Sequence, residues 1–215
     1  MFPIYSVTGS HLSTSSAIIE DIDRMRKAGL ASLAFFYFDL MHDKKKDLRN
    51  LLSSLLCQLY DQSDSYLNIF SNFYSAHRRG SQYPSDAALK QCLKDMLSCP
   101  GQAPIYILVD GVDECPRISG RLSPREDVLT LIEELVGLHL PNLHVCISSR
   151  TEVDIKTIIH PLAYHSISLH EEKGQIQDIV DYVRSFVGSN PGMRNWKMED
   201  KELVIDELSQ KANGM

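Results

Sequence analysis

The feature that most constrains the fold is an apolar segment, residues 104–115, which ends in the three carboxylates Asp110, Asp113 and Glu114. Continuous apolar runs are typical of strands that are buried on both faces of a parallel sheet. Ligands of such sheets bind beyond the carboxyl ends of the strands, where carboxylates can hold Mg²⁺ beside nucleotide phosphates. The segment therefore predicts the metal side of a nucleotide site. The alternative is a solvated acidic turn that binds no ligand.

A second apolar segment, residues 143–148, ends in the sequence Ser-Ser-Arg, with Arg150 at its tip. In a parallel sheet this strand would lie beside the first, so that their polar ends meet at one edge. Arg150 can then reach a γ-phosphate as a charged hydrogen-bond donor. The alternative is that Arg150 forms an ion pair with a neighbouring acid, Glu152 or Asp154.

Strand and helix patterns alternate along the chain, which predicts right-handed crossovers and a parallel sheet flanked by helices. Strands are predicted at residues 31–40, 105–109, 143–148 and 164–169, and residues 1–16 are predicted to be irregular. Helices are predicted at residues 18–28, 48–59, 66–77, 86–97, 125–139, 153–159, 173–187 and 199–211. The clearest helix carries a leucine stripe at i, i+3, i+4, i+7, i+8 and i+11, formed by Leu48, Leu51, Leu52, Leu55, Leu56 and Leu59. Such a stripe is usually a packing face, and a dedicated partner-binding role is the alternative.

Composition narrows the class of protein. The chain has 215 residues, of which 43% are hydrophobic and 23% charged, which suits one globular domain or one and a half. The net charge is −6 and the basic clusters are short and scattered, so nucleic acid is not expected as a partner. The five cysteines form no Cys-x-x-Cys pair, and no membrane-length apolar run or secretory signal is found. We therefore expect a cytoplasmic protein without a membrane partner, which binds other proteins or itself.

Six segments resemble a known family: residues 15–22 (SSAIIEDI), 34–39 (AFFYFD), 51–59 (LLSSLLCQL), 106–115 (YILVDGVDEC), 143–150 (LHVCISSR) and 211–215 (KANGM). Together they resemble the fungal NACHT-type NTPase domain, which is the nephrocystin-3-like N-terminal domain of ankyrin- or WD-repeat proteins. Members are STAND ATPases, signal-transducing proteins in which nucleotide exchange converts an autoinhibited monomer into an oligomer. The resemblance implies a three-layer α/β P-loop NTPase fold with the start of a C-terminal helical subdomain.

The resemblance also implies roles for individual residues. Asp110 is similar to the Walker B aspartate, which binds Mg²⁺ through water. Asp113 or Glu114 would orient the attacking water, and Arg150 would sense the γ-phosphate. Ser149 is a further candidate for nucleotide binding. ATP with Mg²⁺ is thus the implied cofactor, provided that the phosphate side of the site is present.

The phosphate side departs from the family pattern. The family enters its first helix through a P-loop, Gly-x-x-x-x-Gly-Lys-[Ser/Thr], and counting back places Tyr5 and Ser10 at the two glycines. The same register places His11 at the lysine and Leu12 at the Ser/Thr. The backbone cradle, the phosphate-binding cation and the Mg²⁺ hydroxyl ligand are therefore absent together. Neutral His11 is a poor substitute for lysine.

These features predict a division of the chain and a function. Residues 1–14 are expected to be a degenerate or missing P-loop region, residues 15–170 a NACHT-like nucleotide-binding core and residues 171–215 a truncated helical extension. The expected function is a signalling or scaffold module with weak or no ATP binding and hydrolysis. One alternative is an active ATP-dependent switch whose true gene product carries a P-loop. The other is a fragment of a longer ankyrin- or WD-repeat protein.

Overall fold

The molecule is built of alternating strands and helices around a five-stranded sheet. The structure, a computed structural model, describes residues 4–8, 12–39, 47–77, 82–117, 123–168, 173–194 and 196–211. The strands are β1 (Ile4–Thr8), β2 (Ser32–Tyr37), β3 (Ile105–Asp110), β4 (Leu143–Ser149) and β5 (His165–Ser168). The helices are α1 (Leu12–Lys27), α2 (Leu48–Leu59), α3 (Asp64–Ala76), α4 (Asp86–Leu97), α5 (Pro124–Val136), α6 (Val153–Leu162), α7 (Lys173–Ser189) and α8 (Met198–Lys211). Among the described residues, 3-10 turns cover Val112–Glu114 and Pro191–Met193.

The sheet has the strand order β2-β3-β4-β1-β5. Strand β3 pairs in parallel with β2, where Tyr37 is the partner of Asp110, and with β4, where Val109 is the partner of Ile147. The two strands with polar ends are therefore neighbours, as predicted. The α/β class, with a parallel sheet flanked by helices, is confirmed.

Two apolar clusters cover the sheet. Side chains alternate between the faces of a strand, and alternate residues of β2 and β3 accordingly belong to different clusters. The larger cluster contains the buried residues of α2, α4, α5 and α6, and the smaller one lies against α1 around Ile22. All six leucines of the α2 stripe are buried in the larger cluster, so the stripe is a packing face.

Side-chain caps fix where several helices begin. Asp47, Ser63 and Ser85 each accept a hydrogen bond from a backbone N–H in the first turn of α2, α3 and α4 respectively. Ser123 and Glu126 form a reciprocal capping box at the start of α5, followed by a proline at the first helical position. This cap determines where the first turn of α5 lies relative to the end of β3.

The prediction that residues 1–16 are irregular was wrong, because they contain β1 and the first turn of α1. The strand is only five residues long, and α1 begins with a polar stretch that precedes its first apolar repeat, so neither has a strong periodic signal. Helix α6 was also expected to end before Pro161 but continues to Leu162. A proline in the last turn removes one hydrogen bond while its fixed φ remains helical.

The chain divides into two compact units. One unit comprises residues 1–7 and 11–167, and the other comprises residues 8–10 and 168–215. In the second unit α7 packs against α8, with Val187 and Ile205 buried and with Arg184 lying 3.9 Å from Glu202. Within the described part of the chain, every helix is too short or too polar to span a lipid bilayer.

Candidate functional site

The carboxylate of Asp110 joins three elements at the carboxyl end of β3. Asp110 is 6% exposed, and its Oδ1 accepts hydrogen bonds from the hydroxyls of Ser15 in α1 (2.9 Å) and Ser148 in β4. The Ser148 hydroxyl in turn accepts a hydrogen bond from the Gly111 N–H at 3.2 Å. A buried carboxylate is unfavourable unless donors satisfy it, and here two hydroxyls do so.

Gly111 turns the chain sharply after this aspartate. Its φ of 70° lies in the left-handed region, and a Cβ at this position would lie 3.4 Å from the carbonyl oxygen of Phe38. The glycine therefore permits the 3-10 turn that follows directly. This turn brings Asp113 back towards the end of β4.

Asp113 joins the two polar strand ends. Its side chain is 5% exposed, its Oδ1 accepts the backbone N–H of Arg150 at 2.9 Å, and its Oδ2 lies 3.6 Å from Arg150 Nε. The Arg150 side chain itself is 76% exposed. The burial of Asp110 and Asp113 contradicts the solvated part of the alternative, an acidic turn without a ligand, whereas ligand binding stays a prediction. Below, "acid cluster" denotes Asp110 and Asp113 with their partners Ser15, Ser148 and Arg150.

Arg125 holds the loop after β3 to the loop after β4. Its guanidinium is 6% exposed and donates to the backbone oxygens of Cys115 (2.9 Å) and Asp113. It also pairs with Glu152 and with Asp154, whose Oδ2 lies 3.3 Å away. The acids proposed as partners for Arg150 are thus paired with Arg125, and Arg150 pairs with Asp113.

Sequence reasoning missed Arg125, Ser15 and Ser148 as parts of this site. The available signal for Arg125 was its place directly after the Ser-Pro helix start, which fixes it in a first turn near the end of β3. Arginines are mostly exposed, so its burial could not be expected. The serines carry no spacing that distinguishes them from other polar residues.

The remaining candidates lie in the same region. Ser149 is 3% exposed at the end of β4, and Glu114 is half-buried in the 3-10 turn. A small cleft of about 10 Å³, roughly the space of one water molecule, lies beside Asp110 and is lined by Ser15, Ile18, Leu108, Val109, Asp110, Cys146 and Ser148.

The thiols near the acid cluster are protonated at neutral pH. Burial raises the pKa of Cys146 to about 11, and the charge of Asp110 adds to this effect. Burial also raises the pKa of Cys115 to about 12, although nearby Arg125 opposes the shift. A thiol is nucleophilic as the thiolate, so neither cysteine is a candidate nucleophile. Among the residues that the structure describes, no group of three or more His, Cys, Asp or Glu is placed to hold a metal ion.

A parallel sheet with carboxylates at the end of one strand and Ser-Ser-Arg at the end of its neighbour defines a P-loop NTPase-like module. The family described as Nephrocystin 3, N-terminal, matches residues 10–150. This match covers more than half of the chain, and the chain belongs to this family. No curated protein matches the chain.

Solved structures are similar to the chain at the level of the fold. Drosophila ORC bound to DNA has 16% sequence identity and a TM-score of 0.53, with 99% of this chain and 46% of that chain covered. The Aeropyrum pernix ORC2 protein, in ADPNP-ADP complexes, has 12% identity and a TM-score of 0.48, with 99% and 61% covered. The chain therefore spans about half to three fifths of the length of these two structures.

Proposed function

We propose that this chain is the NACHT-like module of a STAND-type signalling protein, which acts through protein contacts and hydrolyses ATP weakly or not at all. Family membership and the P-loop NTPase-like fold support the first part of this proposal. Residues 15–170 would form the core of the module, residues 171–215 a helical extension and residues 1–14 the remnant of the P-loop region.

One observation carries the second part. Between β1, which ends at Thr8, and α1, which begins at Leu12, the sequence of the β1–α1 junction is Gly-Ser-His; these residues, 9–11, lie outside the described part of the structure. A P-loop supplies a glycine-rich cradle, a lysine for the β- and γ-phosphates and a hydroxyl for Mg²⁺. In the family register, Tyr5 and Ser10 stand at the two glycines, His11 at the lysine and Leu12 at the Ser/Thr, so the residue types do not suit this task. Phosphoryl transfer depends almost wholly on such positioning and charge stabilisation.

The acid cluster still contains groups that fit Mg·ATP. Mg²⁺ is usually bound by one or two carboxylates together with water and phosphate oxygens, and Asp110 would take this role through water. Arg150 and Ser149 would face the phosphates, and Asp113 or Glu114 would be the residue that orients water. The Arg150–Asp113 side-chain contact is long and exposed on the arginine side, so its loss costs little, about 0–1 kcal/mol.

Proteins, or further copies of the chain, are the partners that we propose, in the cytoplasm. The scattered basic residues and the net charge of −6 argue against nucleic acid. The fold does not support this exclusion of nucleic acid, because a structure of similar fold, Drosophila ORC, is bound to DNA. Salt-dependent binding of a labelled DNA duplex is therefore a useful parallel assay.

The proposal is tested by ATP turnover and by sedimentation velocity with and without Mg·ATP. We expect turnover at the level of the buffer, and the same sedimentation profile in both conditions. The test variant, Asp110→Asn, removes one charge from the acid cluster. The matched control, Glu133→Gln, removes one charge from an exposed position on α5. Mg²⁺-dependent turnover that Asp110→Asn abolishes and Glu133→Gln preserves would establish the alternative, an active ATP-dependent switch.

A further inference from the structure

Strand β2 lies at one end of the sheet, so only one of its two edges pairs with another strand. Its pairing with β3 includes the Ser32 N–H, which donates to Pro104 at 2.8 Å, and just past its end the Phe38 N–H donates to Asp110 at 2.9 Å. In a parallel pair alternate residues direct their backbone groups to opposite sides of the strand. The backbone N–H and C=O groups of Leu33 and Phe35 therefore point away from the sheet.

Two glutamines of the α2 region satisfy these four groups. The Leu33 N–H donates to Gln62 Oε1 at 2.9 Å, and Gln62 Nε2 donates to the Leu33 oxygen at 2.7 Å. The Phe35 N–H donates to Gln58 Oε1 at 3.1 Å, and Gln58 Nε2 donates to the Phe35 oxygen at 2.7 Å. Each amide thus makes the same pair of hydrogen bonds that a neighbouring strand would make.

The match follows from the dimensions of the two elements. Residues four apart on a helix lie on one face and are separated by about 6 Å along its axis. Residues two apart on a strand are separated by about 6.6 Å. Gln58 lies in the last turn of α2, and Gln62 lies in the turn that follows the helix, where the Gln62 N–H donates to the Leu59 oxygen at 3.0 Å. This turn keeps the two amides close to the helical spacing and in register with Phe35 and Leu33, with the helix and the strand running in opposite directions along this edge.

Packing and a further hydrogen bond hold the two amides in place. Leu55 and Leu59, on the adjoining face of α2, are fully buried and fix the helix against the sheet. Gln58 Nε2 also donates to Ser54 Oγ at 3.0 Å, one turn earlier in the helix. The side-chain amides of Gln58 and Gln62 are consequently part of the packed structure.

An open edge at this position would favour association. Unpaired backbone groups on an edge strand are a template for a strand of another chain. The β2 sequence, Ser-Leu-Ala-Phe-Phe-Tyr, is uncharged and rich in aromatic residues, which pair readily as strands. We propose that Gln58 and Gln62 close the β2 edge against pairing with β2 of a second copy of this chain.

The test replaces both amides by side chains of similar length that cannot pair with a backbone. In Gln58→Met/Gln62→Met the Leu33 and Phe35 amide hydrogens lose their acceptors, and we expect their exchange to accelerate about fivefold or more. We also expect concentration-dependent self-association in sedimentation velocity. The control is Gln91→Met, an exposed glutamine on α4, which should match the wild-type protein in both measurements.

A second double variant separates pairing from packing. In Gln58→Glu/Gln62→Glu the carboxylates can accept the two N–H groups but cannot donate to the Leu33 and Phe35 oxygens, and they place charge on the edge, so association should be absent. Unchanged exchange and unchanged sedimentation in Gln58→Met/Gln62→Met would overturn the proposal, and so would faster exchange without association. If circular dichroism shows that the Met double variant does not fold, Gln62→Met alone takes its place. The proposal is then judged by the exchange of the Leu33 amide hydrogen and by sedimentation velocity.

Discussion

The acid cluster and the β1–α1 junction, which we propose as the metal side and the phosphate side of an ancestral nucleotide site, differ in how well they keep the residue types of such a site. The acid cluster is complete in residue type, buried and hydrogen-bonded. In the family register, the sequence around the β1–α1 junction has His11 at the lysine position and Leu12 at the Ser/Thr position of a P-loop. We therefore propose that the fold keeps the metal side of a nucleotide site without its phosphate side.

The contacts of the acid cluster offer a physical reason for this difference. Asp110 connects β3 to α1 and β4, and Asp113 connects the loop after β3 to Arg150 after β4. These carboxylates therefore stabilise the sheet edge whether or not a nucleotide binds. A phosphate loop, by contrast, has its main partner in the ligand. The following predictions test this contrast, from the largest expected effect to the smallest.

Loss of Arg125 should have the largest effect on stability. Arg125→Ala leaves Glu152, Asp154 and two backbone oxygens without their donor, and we expect the free energy of unfolding to fall by about 3–5 kcal/mol. Urea denaturation measures this change. The control is Arg49→Ala, whose ion pair with Asp86 is half-exposed and should be worth about 1 kcal/mol or less. Similar losses in the two variants would mean that Arg125 does not hold the loops together.

Asp110→Ala tests directly whether the acid cluster is structural. The substitution leaves the Ser15 and Ser148 hydroxyls without their acceptor, and we expect a loss of about 1–3 kcal/mol in the absence of nucleotide. The matched control is Asp95→Ala on the exposed face of α4, with an expected change within about 0.5 kcal/mol. An Asp110→Ala protein as stable as the control would show that the carboxylate serves only a ligand.

Ser15→Ala breaks the hydrogen bond from Ser15 in α1 to Asp110. We expect a loss of about 1 kcal/mol, since Ser148 continues to satisfy the carboxylate. Ser71→Ala, at an exposed position in α3, is the control for the helix propensity that any Ser→Ala change gains. Thermal unfolding of the two variants should differ by this amount. If the two variants unfold at the same temperature, the hydrogen bond from α1 does not stabilise the acid cluster.

The smallest predicted effect concerns pH and lies away from the acid cluster. Burial lowers the pKa of His144 from its ordinary value of 6.5, and its ring stacks on Tyr106 at 4.6 Å. The unfolded state then binds more protons between the two pKa values, so stability falls as the pH drops below about 6.5. His144→Phe keeps the stack and should lose less stability than the wild-type protein between about pH 7.5 and pH 5.5. If denaturation at the two pH values shows that the wild-type protein and His144→Phe lose equal stability, His144 is not the source of this pH dependence.

The sequence predicted the fold well where a pattern of residues has one usual structural role. The apolar runs of β3 and β4 and the leucine stripe of α2 correctly predicted neighbouring parallel strands and a buried helix face. The acid cluster was predicted as a group of carboxylates and an arginine, but its hydroxyl partners were not. Ser15 and Ser148 acquire their role only when α1 and β4 meet, and no local pattern encodes that meeting. Arg125 was missed because its burial depends on two loops that are distant in sequence.

Calorimetric titration of the protein with Mg·ATP tests the central claim most directly, because it measures the phosphate side of the site without requiring catalysis. With the acid cluster in place and the β1–α1 junction as it stands, we expect no binding or binding far weaker than about 1 μM, the affinity that corresponds to roughly 8 kcal/mol. The same titration with Asp110→Asn should then give an indistinguishable heat. Binding at low micromolar affinity or better, weakened by Asp110→Asn, would contradict the account and make the acid cluster a working nucleotide site.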